Sequence, residues 1–182
     1  ERVDVKVQGA VQIFPSEWKT NEINKEIFDN NTRESEYWQI NESKIATLAQ
    51  KLKTPKAIYD YVATNLKYDF ERVRPNVERL GALKALENPK SAICMEYTDL
   101  FIALARAAGI PAREVNGYAY TESPELQPLS LVADVLHAWP EYYDQERKIW
   151  VPVDPTWGST TGGEDFFSKL DLRHFAFVIH GK

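Results

Sequence analysis

Ser91-Ala92-Ile93-Cys94-Met95-Glu96-Tyr97-Thr98-Asp99-Leu100-Phe101-Ile102-Ala103-Leu104-Ala105-Arg106-Ala107-Ala108-Gly109-Ile110-Pro111 is the stretch from which the fold can be read. A helix is expected to start between Ser91 and Cys94. Tyr97, Leu100, Phe101, Leu104 and Ala108 recur at helical spacing, Gly109 suits the C-cap, and Pro111 prevents continuation. Cys94 falls in the first turn, where helix side chains point toward the N-terminal mouth. It is the single cysteine of the chain, so an internal disulfide and a cysteine-rich metal site are excluded. Unpaired N–H groups and the dipole at a helix start favour a thiolate and lower its pKa from about 8.5. Taken alone, a lone thiol reads more simply as a small apolar core residue.

Working outward, two helices precede this one. Ser43 is expected to cap Lys44–Leu52, and Thr54-Pro55 reads as a cap followed by proline at the first helical position. Residues 70–79, charged and containing Pro75, read as a loop, and Ala82–Leu86 as a short helical turn. At the N-terminus, Val3, Val5 and Val7 alternate with polar residues as in a strand, which Val11–Phe14 would continue. Residues 1–40 are expected to be a strand and an extension held on the core by a few aromatic anchors, and residues 41–182 the core domain.

Strands follow Pro111: Ala112–Tyr120, His137–Tyr143, Lys148–Asp154 and Phe175–Ile179, with a proline-rich loop over 121–130. Helices first and strands later predict an α+β fold, with the Cys94 helix packed on an antiparallel sheet. Asp144–Arg147 reads as a four-residue hairpin loop. That register sets Glu141 opposite Trp150, Trp139 opposite Pro152 and His137 opposite Asp154, close enough for an imidazole–carboxylate hydrogen bond. Ala138, Pro140, Tyr142, Ile149, Val151 and Val153 form the apolar face. His137 alone reads as a structural histidine, and Asp154 before Pro155 as a turn initiator. His174 and His180 read as structural or solvated. A metal site built from Cys94, His137 and Asp154 is disfavoured by its short ligand set.

The net charge of -5 and pI near 5.3 argue against nucleic acid or an anionic membrane as partner. No run approaches the roughly 18 apolar residues of a transmembrane helix. The chain begins at Glu1 and reads as a processed product or a cut from something longer, either extracytoplasmic or a domain excised from a larger secreted or membrane-anchored protein; the sequence does not choose between these.

Over residues 45–160 the chain resembles the transglutaminase-like core domain of the papain-like cysteine enzymes, in its prokaryotic type. The resemblance lies in Ile58-Tyr59-Asp60-Tyr61-Val62 with Leu66-Lys67-Tyr68, in Cys94–Phe101 and Leu104–Arg113, in Val115-Asn116-Gly117-Tyr118, in His137-Ala138-Trp139, and in Trp150–Thr156. It implies a Cys94–His137–Asp154 triad for acyl transfer on protein or peptide amides, by cross-linking, deamidation or proteolysis. Trp139 and Trp150, on the His137 face, would wall the substrate site. No calcium-loop motif is evident, and neither metal nor cofactor is expected. The family's usual glycines before the cysteine are replaced by Ser91-Ala92-Ile93. The competing expectation is a catalytically silent binding or assembly module of a larger protein.

Overall fold

The computed structural model describes residues 22–74, 76–119, 137–168 and 174–180. The strands predicted at residues 3–8 and 11–14 and the loop at 121–130 lie outside them. Helices come first: α1 (Lys25–Asn30), α2 (Ser43–Leu52), α3 (Pro55–Asn65), a 3-10 turn (Phe70–Arg72), α4 (Gly81–Glu87) and α5 (Cys94–Ala107). Then come β1 (Ala112–Ala119), β2 (His137–Asp144), β3 (Ile149–Pro152), α6 (Pro155–Thr160) and β4 (His174–Ile179). The strands form one sheet in the order β3-β2-β1-β4, each neighbouring pair antiparallel. This is the α+β papain-like architecture expected.

Local chemistry sets the boundaries. Thr54 caps α3, its Oγ1 accepting from the Ala57 N–H at 3.2 Å, with Pro55 behind it. At α2 the cap is Glu42 rather than Ser43, which is already helical. At α5 the N-cap is Ile93, whose side chain accepts no hydrogen bond. The Glu96 carboxylate supplies the reciprocal half of the capping box, accepting from the Ile93 N–H at 3.0 Å. Gly109, at φ 78°, ends the helix, and the Ile110 N–H closes back on the Ala105 carbonyl at 2.9 Å.

The stripe Tyr97, Leu100, Phe101 and Leu104 is fully buried, and so is the rest of α5 from Glu96 to Ala105. A helix buried all round must pair its polar side chains, and two arginines of the 70–80 segment do this. Arg72 donates to Glu96 (3.0 Å). Arg79 donates to Asp99 (Nε to Oδ2, 2.9 Å) and to Glu114 on β1 (2.8 Å). Trp38, from the segment before α2, adds an indole N–H to Asp99 at 2.9 Å.

The hairpin differs from the expected register by two residues. Glu141 pairs with Pro152, Tyr142 with Val151, and Tyr143 with Trp150, so the turn is Gln145–Lys148. Asp144 causes the shift. Its Oδ1 accepts from the Glu146 and Arg147 N–H groups at 3.0 Å each, which makes Asp144 the last strand residue rather than the first loop residue. A shift of two keeps every side chain on its expected face. The His137 face is nonetheless covered as well: His137, Trp139 and Tyr143 are buried along with Ala138 and Tyr142.

Gly117 faces His137 across β1 and β2, beside a register shift in the β1–β4 pairing. A Cβ there would stand 2.0 Å from the Phe175 carbonyl oxygen and 2.7 Å from Trp139 Cη2. Gly117→Ala is therefore expected to force β4 away from β1 and to destabilise by about 3 kcal/mol, the upper end of ordinary overpacking. Denaturant titration checks this; a loss under about 1 kcal/mol would show that β4 yields freely.

Candidate active site

Cys94 is the first residue of α5 and is 2% exposed. Burial pushes its thiol up to about 12. The backbone N–H groups of Ala138 and Met95 pull it down, and the Glu96 and Asp154 carboxylates add to the rise. The helix start, expected to favour a thiolate, is outweighed by burial. The Ala138 contact sets the sulfur against β2 at the residue following His137.

His137, the first residue of β2, is fully buried, with its ring stacked between Trp139 and Trp157 (centroids 5.8 Å from each). Its Nε2 lies 2.7 Å from Asp154 Oδ2. Nδ1 is buried and has no hydrogen-bond partner among the described residues. An ionised carboxylate only accepts, so Nε2 carries a proton, and in the neutral form of the ring Nδ1 presents a lone pair.

Asp154 reaches His137 by a route the strand reading did not contain. Beta-3 stops at Pro152, and Asp154 is the N-cap of α6, its Oδ1 accepting from the Trp157 N–H at 3.0 Å. Proline at the first position of α6 repeats the Thr54-Pro55 arrangement. Burial would push the Asp154 carboxyl up. The charge and hydrogen bond of His137, and then those of His174, hold it below the usual carboxylate range.

His174 is the residue that sequence reasoning missed. It opens β4, its side chain is 2% exposed, and its Nε2 lies 3.0 Å from the same Asp154 Oδ2. No local pattern signals this, because β4 meets the site only through its non-local pairing with β1. Of the two tryptophans expected to wall the site, Trp139 packs on His137 and edge-on to His174 at 5.1 Å. Trp150 is not brought there. It pairs with Tyr143, six residues along β2 from His137, and lies under the Arg113 guanidinium at 3.9 Å.

His137, Asp154 and His174 together have the composition of a metal triad. Around tetrahedral zinc, with bonds of about 2.0–2.1 Å, ligand atoms stand about 3.3 Å apart. Separations of 2.7 and 3.0 Å from both imidazoles to one oxygen are instead those of two hydrogen bonds.

A thiol at a helix start, facing a strand that carries an imidazole backed by a carboxylate, defines the papain-like class. Residues 39–155 match the Transglutaminase-like superfamily, and the chain belongs to it. It is 30% identical to the uncharacterized protein YebA of Bacillus subtilis, covering 86% of this chain and 24% of YebA. It is 40% identical to a protein-glutamine gamma-glutamyltransferase of Pseudomonas aeruginosa over 76 residues, 40% of this chain and 11% of that protein. The chain thus spans a quarter or less of these relatives' length. The fold is similar to that of a candidate cysteine protease from Cytophaga hutchinsonii (TM-score 0.58, 22% identity, 87% of this chain and 55% of that one). It is also similar to the periplasmic domain of TgpA from Pseudomonas aeruginosa (TM-score 0.52, 22% identity, 74% and 48%). Among the described residues no helix is long and apolar enough to cross a membrane.

Proposed function

We propose that this chain is a cysteine acyltransferase domain acting on glutamine side-chain amides of proteins or peptides, with Cys94 as nucleophile, His137 as base and Asp154 as orienting carboxylate. The observation that carries this reading is His137: Nε2 is committed to Asp154, while Nδ1 is buried and unpartnered beside the strand that Cys94 faces. A buried imidazole nitrogen without a partner costs stability, and a role in taking a proton accounts for its being left open.

The steps follow from that tautomer. His137 Nδ1 takes the Sγ proton, and the sulfur attacks the amide carbon. The resulting imidazolium is stabilised by the ionised Asp154, which makes the thiolate accessible although burial alone holds the thiol proton tightly. N–H groups of the first turn of α5, that of Cys94 included, stabilise the oxyanion. Imidazolium then protonates the departing ammonia, leaving a thioester. A primary amine resolves the thioester to a cross-link, and water resolves it to glutamate. Glutamine as donor is supported by the name of the Pseudomonas aeruginosa transferase, whose relationship covers 40% of this chain. The periplasmic origin of the TgpA domain supports an extracytoplasmic setting as part of a longer protein.

A glutamine peptide supplied with and without a primary amine tests the reading. Ammonia release is expected in both cases, amine incorporation in the first, and loss of both by at least about a thousandfold in Cys94→Ala. Peptide-bond cleavage without ammonia release would replace the glutamine reading with proteolysis. Absence of all three products with intact Cys94 would overturn acyl transfer itself.

A further inference from the structure

We propose that His174 is a fourth member of the site: a positioning residue whose Nε2–H, together with that of His137, clamps one carboxylate oxygen of Asp154 and keeps that carboxylate aimed at the base. The inference rests on the acyl-transfer reading for its meaning in turnover, and on geometry for its existence.

Asp154 needs such a clamp because of where it sits. It has left the β2–β3 ladder, and its backbone N–H is held by the Phe166 carbonyl at 3.0 Å instead of by a strand. Its side chain is fully buried, so no water shell fixes the carboxylate plane. The Trp157 N–H anchors Oδ1 at 3.0 Å. With Oδ1 anchored there, the aim of the other oxygen rests on its own donors, and His137 is the donor whose charge changes during the reaction. His174 supplies a second donor on that oxygen from a different strand, and two donors converging from different directions hold its aim.

The donor is itself held firmly. The His174 ring is edge-on to Trp157 at 4.8 Å and to Trp139 at 5.1 Å, and lies 5.7 Å from the His137 ring. His137 and His174 arrive from β2 and β4, the strands flanking β1, at positions paired with Gly117 and Ala119. Gly117, with no side chain, leaves room for the Trp139 ring that packs against both. The other groups with electrostatic reach of Asp154 are Cys94 and Tyr97 on α5, Tyr59 on α3 and Tyr68 in the segment after α3. None of these gives it a hydrogen bond among the described residues.

The test compares His174→Phe, which refills the aromatic box without a donor, with His174→Gln, which restores an N–H at similar reach. Three readouts are needed: thermal stability, the kcat and KM split, and the rate of Cys94 alkylation at neutral pH. His174→Phe is expected to lower kcat about ten- to a hundredfold with KM changed less than about twofold. Alkylation should slow in parallel, and His174→Gln should recover both to within about threefold. Two variants that match the wild type, or that fall together in proportion to lost stability, would overturn the role. Alkylation decides this even where no turnover is found, so a failed substrate reading and a failed clamp are distinguishable. If neither variant folds, nitrogen-labelled histidine NMR of the wild type decides. Two exchange-protected imidazole Nε2–H signals, both moved by Asp154→Asn, are expected, and a single one would sink the proposal.

Discussion

Replacing Arg79 with leucine is expected to destabilise the fold by about 3–5 kcal/mol. Arg79 is the cation between two carboxylates that have almost no water: Asp99 is fully buried and Glu114 is 3% exposed. Burial already pushes the Asp99 carboxyl up, with Arg79 and then the Trp38 N–H working against it and Glu114 adding to the rise. Without the guanidinium, the fold must either hold two neighbouring buried anions or protonate one of them. The sign of the pH dependence follows. In the unfolded chain both carboxyls titrate near the ordinary carboxylate values of about 4. Asp99, raised in the fold, takes up its proton in the native state first, so stability returns as pH falls toward 5 and is lowest at pH 8. Urea titrations of Arg79→Leu at the two pH values check this. The double variant Arg79→Leu/Asp99→Asn should recover a large part of the loss at pH 8, since asparagine can still accept from Trp38. Equal losses at both pH values would show that the buried charges are not the cause.

That network shows where sequence reasoning stopped. The ends of α5 were legible because Gly109 and Pro111 act within one turn of the helix they terminate. The sides of the helix were not. A 3.6-residue period assigns Glu96 and Asp99 to a polar face, and only the tertiary return of the 70–80 segment, with Arg72 and Arg79, turns that face into an interior one. The hairpin failed and succeeded for related reasons. Asp144 takes its own backbone into the turn and moves the pairing by two, yet the two-residue period of a strand preserves faces, so His137 and Trp139 stayed where alternation placed them. Asp154 was drawn opposite His137 as a strand partner and arrives there as a helix cap. The cap signal, aspartate followed by proline, was present, but Thr156-Trp157-Gly158-Ser159-Thr160 is a poor helix by propensity and the cap went unread. His174 had no local signal of any kind, since strand pairing across more than fifty residues leaves no periodicity to count.

Because Asp154 is both the cap of α6 and the partner of His137, the two roles can be separated by one atom. Asp154→Asn is expected to destabilise the fold by about 1–3 kcal/mol, through the buried hydrogen bonds disturbed at Oδ2, and to lower turnover by about ten-thousandfold. Asparagine is as good an N-cap as aspartate, so its Oδ1 can still accept from the Trp157 N–H. The other position changes from an oxygen that accepts to a nitrogen that donates. Nε2 of His137 can then no longer present a proton there; it must become the acceptor, and the proton moves to Nδ1. Nδ1 is the nitrogen that the mechanism needs empty, so the base is occupied before the reaction starts. His174 faces the same reversal and would lose its own hydrogen bond or turn its ring. Asp154→Ala removes the cap as well and should lose about 1 kcal/mol more of stability, along with turnover. Thermal unfolding and turnover, measured on both variants, separate the roles. An asparagine variant that retains more than about a tenth of wild-type activity would mean that Asp154 serves α6 and not the imidazole.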